Sequence, residues 1–365
     1  MPMLATREML RRRLQFGLVS LIVGLIIFLI IMIAALGTGL MAAMSGAVDA
    51  WDADLLVYSE TSNESILRSE LTADDLAEVA ATPGVRSMDR AGYLPATVEG
   101  PDGDLTDGTL FGIDARALGE DVPRLEAGEL LADASFLRES GLRVGDRVTL
   151  RNALRRYDFT IAGRVNTGQF LGLPTVYASI EEWRRIRYPG DGQAPAASLA
   201  LVRVEPGARS TAHQALDGHA RFTALSKGDA IMAIGGVRQQ TQVVQTIELF
   251  GFVIGALVIG MFFYVLTMQK TGQIAIFKAI GASNLYVLRQ LVQQVISVVA
   301  VGAAIGIPLA ILMDVVVAER IPVELTTSGI VLAVAGVLVT GLLGSVFSGR
   351  HIAGVDPMTA LGQAQ

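Results

Sequence analysis

The sequence predicts an integral membrane α-helical protein with four transmembrane helices and an α+β extracytoplasmic domain inserted between the first and second spans. Apolar residues make up 52% of the 365 residues and charged residues only 18%, whereas soluble domains average about a quarter charged. The apolar excess lies in four blocks without Asp, Glu, Lys or Arg, and one long charged region follows the first block. This pattern excludes a soluble cytoplasmic enzyme and a disordered chain.

The four charge-free blocks are each long enough to cross a bilayer. They cover residues 14–48, 249–269, 290–313 and 325–349, which is 35, 21, 24 and 25 residues. A hydrocarbon core of about 30 Å requires about 20 apolar residues in a helix. Small residues in the last two blocks predict close helix packing; they include Gly302, Gly306, Gly336, Gly341 and Gly344.

The N-terminal end of the first block has two interpretations. Arg7, Arg11, Arg12 and Arg13 precede it, as in a secretory signal peptide, and residues 42–47 weakly resemble a cleavage site. The apolar part of a signal peptide, however, has only about 7–15 residues. An uncleaved membrane anchor is therefore favoured.

The basic residues predict the orientation in the membrane. The N-terminal tail carries four arginines, the 270–289 loop carries three basic residues and no acid, and the 314–324 loop carries three acids and one arginine. Short loops rich in Lys and Arg stay in the cytoplasm. We therefore expect a multi-pass protein of the bacterial cytoplasmic (inner or plasma) membrane, with both termini and the 270–289 loop in the cytoplasm.

The first and second spans have surplus helical length. Residues 237–248 form a polar run without helix breakers, which begins after Gly235-Gly236 and continues into the second block. This predicts a stalk beneath the external domain; a tilted span with an interfacial segment is the alternative. The predicted segments are a tail 1–13, span and stalk 14–48, external domain 49–236, stalk and span 237–269, coupling loop 270–289, span 290–313, external loop 314–324, span 325–349 and tail 350–365.

The external domain alternates strand and helix signals. Residues 55–59 read as a strand, and a helix is predicted to follow Thr72 and to stop at Pro83-Gly84. Residues 144–151 and 157–165 alternate in polarity around a polar turn, which predicts a hairpin. A further strand is expected over residues 199–205.

Catalytic and metal-binding patterns are weak in this sequence. It has no cysteine and three scattered histidines, which excludes disulfides and argues against a histidine zinc site. The acids at the start of the external domain lack the spacing of a calcium loop; these are Asp52, Asp54, Glu60 and Glu64. With a net charge of −6 and no basic block beyond the N-terminal arginines, nucleic acid is not an expected partner. A non-catalytic binding or coupling subunit fits better than an enzyme.

The cytoplasmic loop contains a short amphipathic segment. Ile276, Phe277 and Ile280 fall on one side of a helix, Gly281 is placed to end it, and Ser283 or Asn284 can start the next one. Such a helix either lies on the bilayer surface or inserts its apolar side chains into a groove of a cytoplasmic partner.

Three segments of the chain resemble motifs of the MacB/FtsX-like permeases of ABC transporters (the type VII superfamily). Residues 273–282 are similar to E-I-G-x-L-(R/K)-A-(L/I)-G-A, residues 141–150 to G-L-x-V-G-D-x-V-x-L, and residues 350–361 to a closing R…(I/V)-x-P-x-x-A-L pattern. With the arrangement of one span, domain and three spans, the resemblance covers nearly the whole chain. Gln273 and Ala275 stand where the family usually has Glu and Gly.

The resemblance implies a homodimer of this chain with two copies of a separate cytoplasmic ABC ATPase, which binds ATP-Mg. The sequence has no G-x-x-x-x-G-K-[ST], so this chain has no P-loop for ATP phosphates and is expected to bind no cofactor itself. ATP binding is expected to move the stalk and external domain, which is mechanotransmission. The implied ATPase-docking residues are Gln273, Ile276, Phe277, Lys278, Ile280 and Gly281.

The start of the external domain resembles that of HrtB-type heme-exporter permeases and the related DevC-like group. The similarity lies in residues 47–59, 63–65 and 71–72. In such exporters, heme enters from the outer leaflet between the first and second spans. Residues of this chain in that zone are Met41, Met44 and Glu248, whose thioethers or carboxylate are candidate iron ligands. The alternative is that both methionines fill packing gaps and that Glu248 is a solvated charge.

Three other functions compete with the export of heme or another hydrophobic compound. The first is an FtsX-like transmembrane signalling subunit that controls cell-wall hydrolases without transport. A sensor is disfavoured because no cytoplasmic segment is long enough for an output domain. An enzyme of the outer face is the weakest alternative.

Overall fold

The computed structural model describes residues 13–119, 122, 124–152, 155–190, 194–269, 284–317 and 322–353. The chain divides into two compact units, one formed by residues 1–39 with 241–365 and the other by residues 40–240. Within the described ranges, four helices are long and apolar enough to cross a membrane, at 14–49, 237–262, 292–316 and 327–344. The predicted fold class is therefore confirmed: four spans, with an α+β domain between the first and second.

The described elements follow one another in a mixed order. The helices are α1 (Arg13–Asp49), α2 (Ala73–Ala81), α3 (Ala134–Ser140), α4 (Ile180–Arg187), α5 (Arg209–Asp217), α6 (Lys227–Ala233), α7 (Val237–Gln269), α8 (Asn284–Val317) and α9 (Thr327–Ala353). The strands are β1 (Leu55–Ser59), β2 (Val85–Glu99), β3 (Leu105–Ile113), β4 (Glu129–Asp133), β5 (Arg147–Asn152), β6 (Arg155–Val165), β7 (Thr175–Ser179), β8 (Leu199–Val204) and β9 (Phe222–Ser226).

Glycines allow the membrane helices to pack closely. A Cβ on Gly24 of α1 would lie 2.9 Å from the carbonyl oxygen of Gly302, and one on Gly306 would lie 2.5 Å from the carbonyl oxygen of Gly24. Between α7 and α9, a Cβ on Gly344 would lie 3.1 Å from the Cα of Gly260. Small residues let helix backbones approach where no hydrophobic force drives association. The predicted packing role of these glycines is confirmed.

The base of the external unit is a four-stranded sheet with a split β-α-β topology. Elements β1, α2, β2 and then β8, α5, β9 give the strand order β2-β8-β1-β9, with all neighbours antiparallel. This is the ferredoxin-like arrangement. Leu55 and Val57 of β1 face a core shared with α2 and α5, whereas Leu56 and Tyr58 face a second core on the other side of the sheet.

A six-stranded barrel is inserted between β2 and β8. Strand β2 continues beyond the base sheet and pairs with β3, and the ring closes in the order β2-β3-β7-β4-β6-β5 and back to β2. Pairs β3–β7 and β4–β6 are parallel. The barrel core contains Leu110, Phe159 and Trp183, all at most 2% exposed.

Several local predictions for the external domain are confirmed. Strand β1 has the predicted bounds. Helix α2 begins after Thr72, whose hydroxyl accepts the N–H of Asp75 at 3.2 Å while the Asp75 carboxylate accepts the N–H of Thr72 at 2.9 Å, a capping box. The predicted hairpin is β5–β6, in which Arg147 pairs with Thr160 and Asn152 with Arg155.

Candidate substrate and coupling sites

The six residues implied in ATPase docking lie outside the described residues. Gln273, Ile276, Phe277, Lys278, Ile280 and Gly281 all belong to the segment 270–283 that separates α7 from α8. The C-terminal motif at 355–361 lies outside the described ranges as well. The described part of helix α8 runs from Asn284, and the expected start at Ser283 or Asn284 stays a prediction because residue 283 lies outside the described ranges. The docking assignment stays a prediction.

Met41 and Met44 lie near the end of α1 and are partly buried. Both pack against the core of the base sheet that Leu56 and Tyr58 face. We call this hydrophobic cluster the base core. The Met44 methyl group lies 3.5 Å from the position of a Cβ on Gly236, just before α7 begins. These contacts are the ones expected of packing side chains, and the ligand role stays a prediction.

Glu248 lies on α7 and is half-buried. It belongs to the membrane unit, residues 241–365 with 1–39, whereas both methionines belong to the unit 40–240. Large apolar side chains next to it are exposed, with Leu249 at 62% and Phe250 at 61%. A carboxylate among apolar neighbours at a span is costly unless it is paired or has a function. Glu248 therefore remains a candidate ligand of heme iron.

Aromatic rings fill the base core. Trp51, two residues beyond α1, meets Phe111 of β3 edge to face, with ring centroids 5.0 Å apart. Phe111 also contacts Phe170 at 5.3 Å and stacks on Tyr177 of β7 at 5.9 Å. All four rings are at most 1% exposed, and burial raises the pKa of Tyr177 to about 12. The end of α1 and the barrel strands thus share one packed cluster.

The connection between β6 and β7 binds the last turns of α1 through its backbone. We call its residues 166–173 the clamp loop. The carbonyl oxygen of Gln169 accepts the N–H of Ala47 at 3.0 Å, and the N–H groups of Leu171 and Gly172 donate to the carbonyls of Met44 and Ala43 at 3.0 and 2.9 Å. In an α-helix the N–H of Ala47 binds the carbonyl of Ala43. Here both groups have partners in the clamp loop.

Two glycines allow this approach. A Cβ on Gly168 would lie 3.2 Å from the Cα of Gly46, and Gly168 has a φ of +84°, a conformation that residues with a Cβ rarely adopt. Leu171 also has a positive φ, 52°, which costs free energy in a residue with a branched side chain. Within the clamp loop, Leu171 is therefore the residue that the surrounding contacts hold in a strained conformation.

Asp133 anchors the clamp loop to the barrel. One carboxylate oxygen caps α3, accepting the N–H and hydroxyl of Ser135 at 2.7 and 2.6 Å. The other accepts the N–H groups of Thr167 and Gly168 at 2.7 and 2.9 Å. Asp133 is 2% exposed, so backbone N–H groups replace water around its charge. The Asp-x-Ser sequence before a helix signals the cap; the loop partner 34 residues away had no sequence signal.

A small pocket adjoins the base core. Its lining includes Tyr58, Glu64, Ile66, Phe170 and Ile234. Burial, with the Glu64 carboxylate as a second cause, raises the pKa of the Tyr58 hydroxyl well above its usual value. Among the described residues, His, Asp and Glu side chains form no group of three or more arranged to hold a metal ion.

Sequence comparisons match both parts of this architecture. Residues 16–217, more than half of the chain, match the sequence model of the MacB-like periplasmic core domain. Residues 246–357 match that of the FtsX-like permease C-terminal domain. The chain belongs to the MacB/FtsX-like family of ABC-transporter permeases. The resemblance seen in the three sequence motifs is thereby confirmed.

Relatives of this MacB/FtsX-like permease include proteins with and without a stated cargo. A Staphylococcus haemolyticus relative named as a hemin transport system permease, HrtB, is 26% identical over 239 residues, covering 64% of this chain and 63% of that protein. The chain thus spans less than two thirds of the HrtB relative's length. An uncharacterized ABC transporter permease of Mycobacterium bovis is 25% identical over 364 residues, covering 96% of each chain.

Among solved structures, the periplasmic region of MacB from Actinobacillus actinomycetemcomitans is similar at a TM-score of 0.36. The identity is 11%, and the match covers 52% of this chain and 96% of that one. The HrtB and Mycobacterium bovis relatives are both named as permeases, and this sequence lacks the G-x-x-x-x-G-K-[ST] motif that binds ATP phosphates.

Proposed function

We propose that this permease is the membrane subunit of an ABC-type efflux complex that works by mechanotransmission. In this proposal a homodimer binds two copies of a cytoplasmic ATPase, and ATP binding moves the stalk and external domain. The cargo is heme or another hydrophobic compound taken from the outer leaflet. Both termini and the 270–289 loop face the cytoplasm, as the excess of basic residues in the short loops favours.

One observation supports the mechanical part above all others. Helix α1 is continuous from Arg13 to Asp49, and its last turns lie in the base core. Helix α7 begins at Val237, which is 1% exposed in that same core. Because the end of α1 and the start of α7 both lie in this packed cluster, we expect a displacement of either helix to be passed to the external domain through packed side chains.

The cargo proposal has two supports. One is that the HrtB relative is named as a hemin transport permease. The other is that two thioethers and one carboxylate, all candidate iron ligands, lie toward the expected outer ends of the first two spans. Met41 and Met44 offer thioethers, which serve as axial ligands to heme iron, and Glu248 offers a carboxylate. The sequence has no cysteine that could take this role.

Titration of the purified permease–ATPase complex with hemin tests the cargo. We expect a saturable shift of the Soret band and a change in ATPase rate. Changing Met41 or Met44 to Leu, or Glu248 to Gln, should raise the half-saturating hemin concentration about tenfold, which is about 1.4 kcal/mol, because each change removes a ligand with little change of volume.

Met232→Leu is the matched control, since Met232 also packs on the base core and was not a candidate ligand. It should leave the titration unchanged. An equal effect of all three methionine changes would show that packing, and not ligation, controls binding. An intact, ATP-hydrolysing complex with no Soret shift would rule out heme and direct attention to other hydrophobic cargo or to FtsX-like hydrolase control.

Phe277→Asp tests the docking and the orientation together. If Phe277 inserts into a groove of a cytoplasmic ATPase, a buried carboxylate there should abolish co-purification of the ATPase. Because the ATPase is cytoplasmic, that loss would also place the 270–289 loop in the cytoplasm. Co-purification is measured by affinity capture of the detergent-solubilised permease.

Ala279→Asp supplies the control, since position 279 lies about 200° from position 277 on a helical projection. This variant should retain the ATPase. If Phe277→Asp also retains it, the segment lies on the bilayer surface instead and the docking proposal is wrong.

A further inference from the structure

We propose that the clamp loop is the joint through which α1 moves the barrel, and that Asp133 is the residue that positions it. This inference rests on the proposed mechanotransmission and names the contact that carries the motion to the barrel. It assigns a function to the loop 166–173, which no sequence motif marks. The loop is held on one side by α1 and on the other by the barrel.

The loop is bound to α1 by groups that leave little freedom to slide. Its three hydrogen bonds to Ala43, Met44 and Ala47 are all between backbone atoms, so they are fixed in register along the helix. Gly46 and Gly168 are in backbone contact beside them. A helix that moved axially by one residue, about 1.5 Å, would break all three bonds unless the loop moved with it.

The other side of the loop is fixed to the barrel at several points. The carboxylate of Asp133, at the end of β4, holds the N–H groups of Thr167 and Gly168. The hydroxyl of Thr175, at the start of β7, donates to the carbonyl of Gly168 at 2.8 Å. Phe170 is 0% exposed among the aromatic rings of the base core. A force on the loop is thus transferred to β4 and β7, two neighbouring strands of the barrel.

Asp133 is the part of this joint that a single substitution can remove. Among the described residues, its second oxygen is hydrogen-bonded only to the clamp loop, while the first caps α3. Loss of the carboxylate leaves the buried N–H of Thr167 and the partly buried N–H of Gly168 without an acceptor, which weakens the loop's preference for its strained conformation. The loop would then change conformation when α1 moves, and the barrel would not be displaced with the helix.

The test uses the whole permease–ATPase complex in lipid vesicles. Since the chain has no cysteine, Asp102→Cys in the turn between β2 and β3 takes a single spin label as a reporter of the barrel. We expect ATP to change the label's spectrum in the otherwise unchanged permease. In Asp133→Ala, the ATPase rate should be retained, and the ATP-dependent spectral change should fall at least fivefold.

Ser179→Ala is the matched control. Ser179 caps α4 of the same barrel by accepting the N–H of Glu182 at 3.2 Å, and among the described residues its side chain has no hydrogen bond to the clamp loop. It should keep the full response, because losing a cap alone does not release the loop. A second variant, Gly168→Ala, disturbs the loop at its contact with Gly46 while keeping the Asp133 carboxylate. If Asp133→Ala fails to fold, Gly168→Ala tests the joint in its place, and its ATP-dependent spectral change should fall as well.

A crosslink distinguishes a joint from a merely stabilising contact. For this measurement the label at position 102 is carried by a ketone-bearing unnatural residue, so that cysteine is free for crosslinking. In Asp133→Ala, cysteine pairs that join Ala42 or Ala43 to Gln169 or Leu171 should restore the response when oxidised and lose it again when reduced. A full response in both uncrosslinked variants, or a crosslink that blocks the response of the otherwise unchanged permease, would overturn the joint. A complex whose barrel never responds to ATP would refute mechanotransmission itself, and with it this inference.

Discussion

Replacing Gly24 with Leu should separate α1 from α8 and prevent recovery of a folded permease. A Cβ at this position would already lie 2.9 Å from the carbonyl oxygen of Gly302 and 3.2 Å from the Cβ of Ile305, and Leu adds three further heavy atoms. Backbone of the facing helix cannot yield as a flexible side chain can. We expect a cost of about 3 kcal/mol or more, at or above the upper end of ordinary overpacking.

Gly17→Leu is the matched control for this substitution. Gly17 is on the same helix, but nothing lies within 4 Å of a Cβ placed there, so the larger side chain meets open space. The measurement is the yield of monodisperse protein after detergent extraction and its resistance to protease. Equal loss in both variants would mean that added bulk on α1, and not the crossing with α8, causes the effect.

Trp183→Ala should unfold the barrel. The indole of Trp183 covers Gly92 and Gly112, which are directly paired across β2 and β3. A Cβ on Gly92 would lie 2.2 Å from the ring, and one on Gly112 would lie 2.1 Å from the Trp183 Cβ. The side chain is 1% exposed, and its removal leaves a cavity that costs about 3–5 kcal/mol.

Protease resistance of the external domain and the thermal midpoint of the purified permease measure this loss. Gly112→Ala should be similarly damaging, since it drives a methyl group into the same indole. Leu105→Ala provides a comparison on β3, where the side chain is 55% exposed and the expected change is within about 0.5 kcal/mol. A Trp183→Ala permease as stable as Leu105→Ala would show that the glycine pair collapses to fill the space.

The membrane part of this fold was predictable because its signals are local and strong. A block of more than 20 residues without charge has few alternatives to a spanning helix, and glycines within such blocks indicate where helices meet. Short elements that are bounded by capping or turn residues could be predicted for the same reason. The Thr72 cap and the turn before β6 depend on neighbours within a few residues, so β1, α2 and the β5–β6 hairpin could be predicted from sequence.

The barrel was not predictable in this way. Its closure depends on pairings between distant segments, such as Thr97–Glu99 of β2 with β5 and the parallel pair of β4 with β6. Strand propensity does not reveal which distant strands meet. Asp133 shows the same limit of sequence-based prediction for a single residue. Its capping of α3 could be predicted from the adjacent Ser135, whereas its hydrogen bonds to Thr167 and Gly168 could not.

The candidate sites were likewise predictable only where the sequence carries a local motif or position. The docking segment was found through a family motif, and its function remains a prediction because residues 270–283 lie outside the described structure. Met41 and Met44 were nominated by position along α1, and the structure adds that both touch the base core. Sequence reasoning treated α1 only as a span with a stalk, so it missed the backbone contacts that its last turns make with the clamp loop.

The position of the barrel between β2 and β8 determines where the chain can change in length without disturbing the base sheet. These strands are neighbours in the base sheet, and Ala91 is paired with Leu199 at the point where the chain departs and returns. Because the exit and the entry are side by side, a longer or shorter turn within the barrel, such as the one between β2 and β3, leaves the pairing of the base strands unchanged. The clamp loop and the aromatic rings of the base core are the exception, because they also bind or pack against the end of α1 and Trp51.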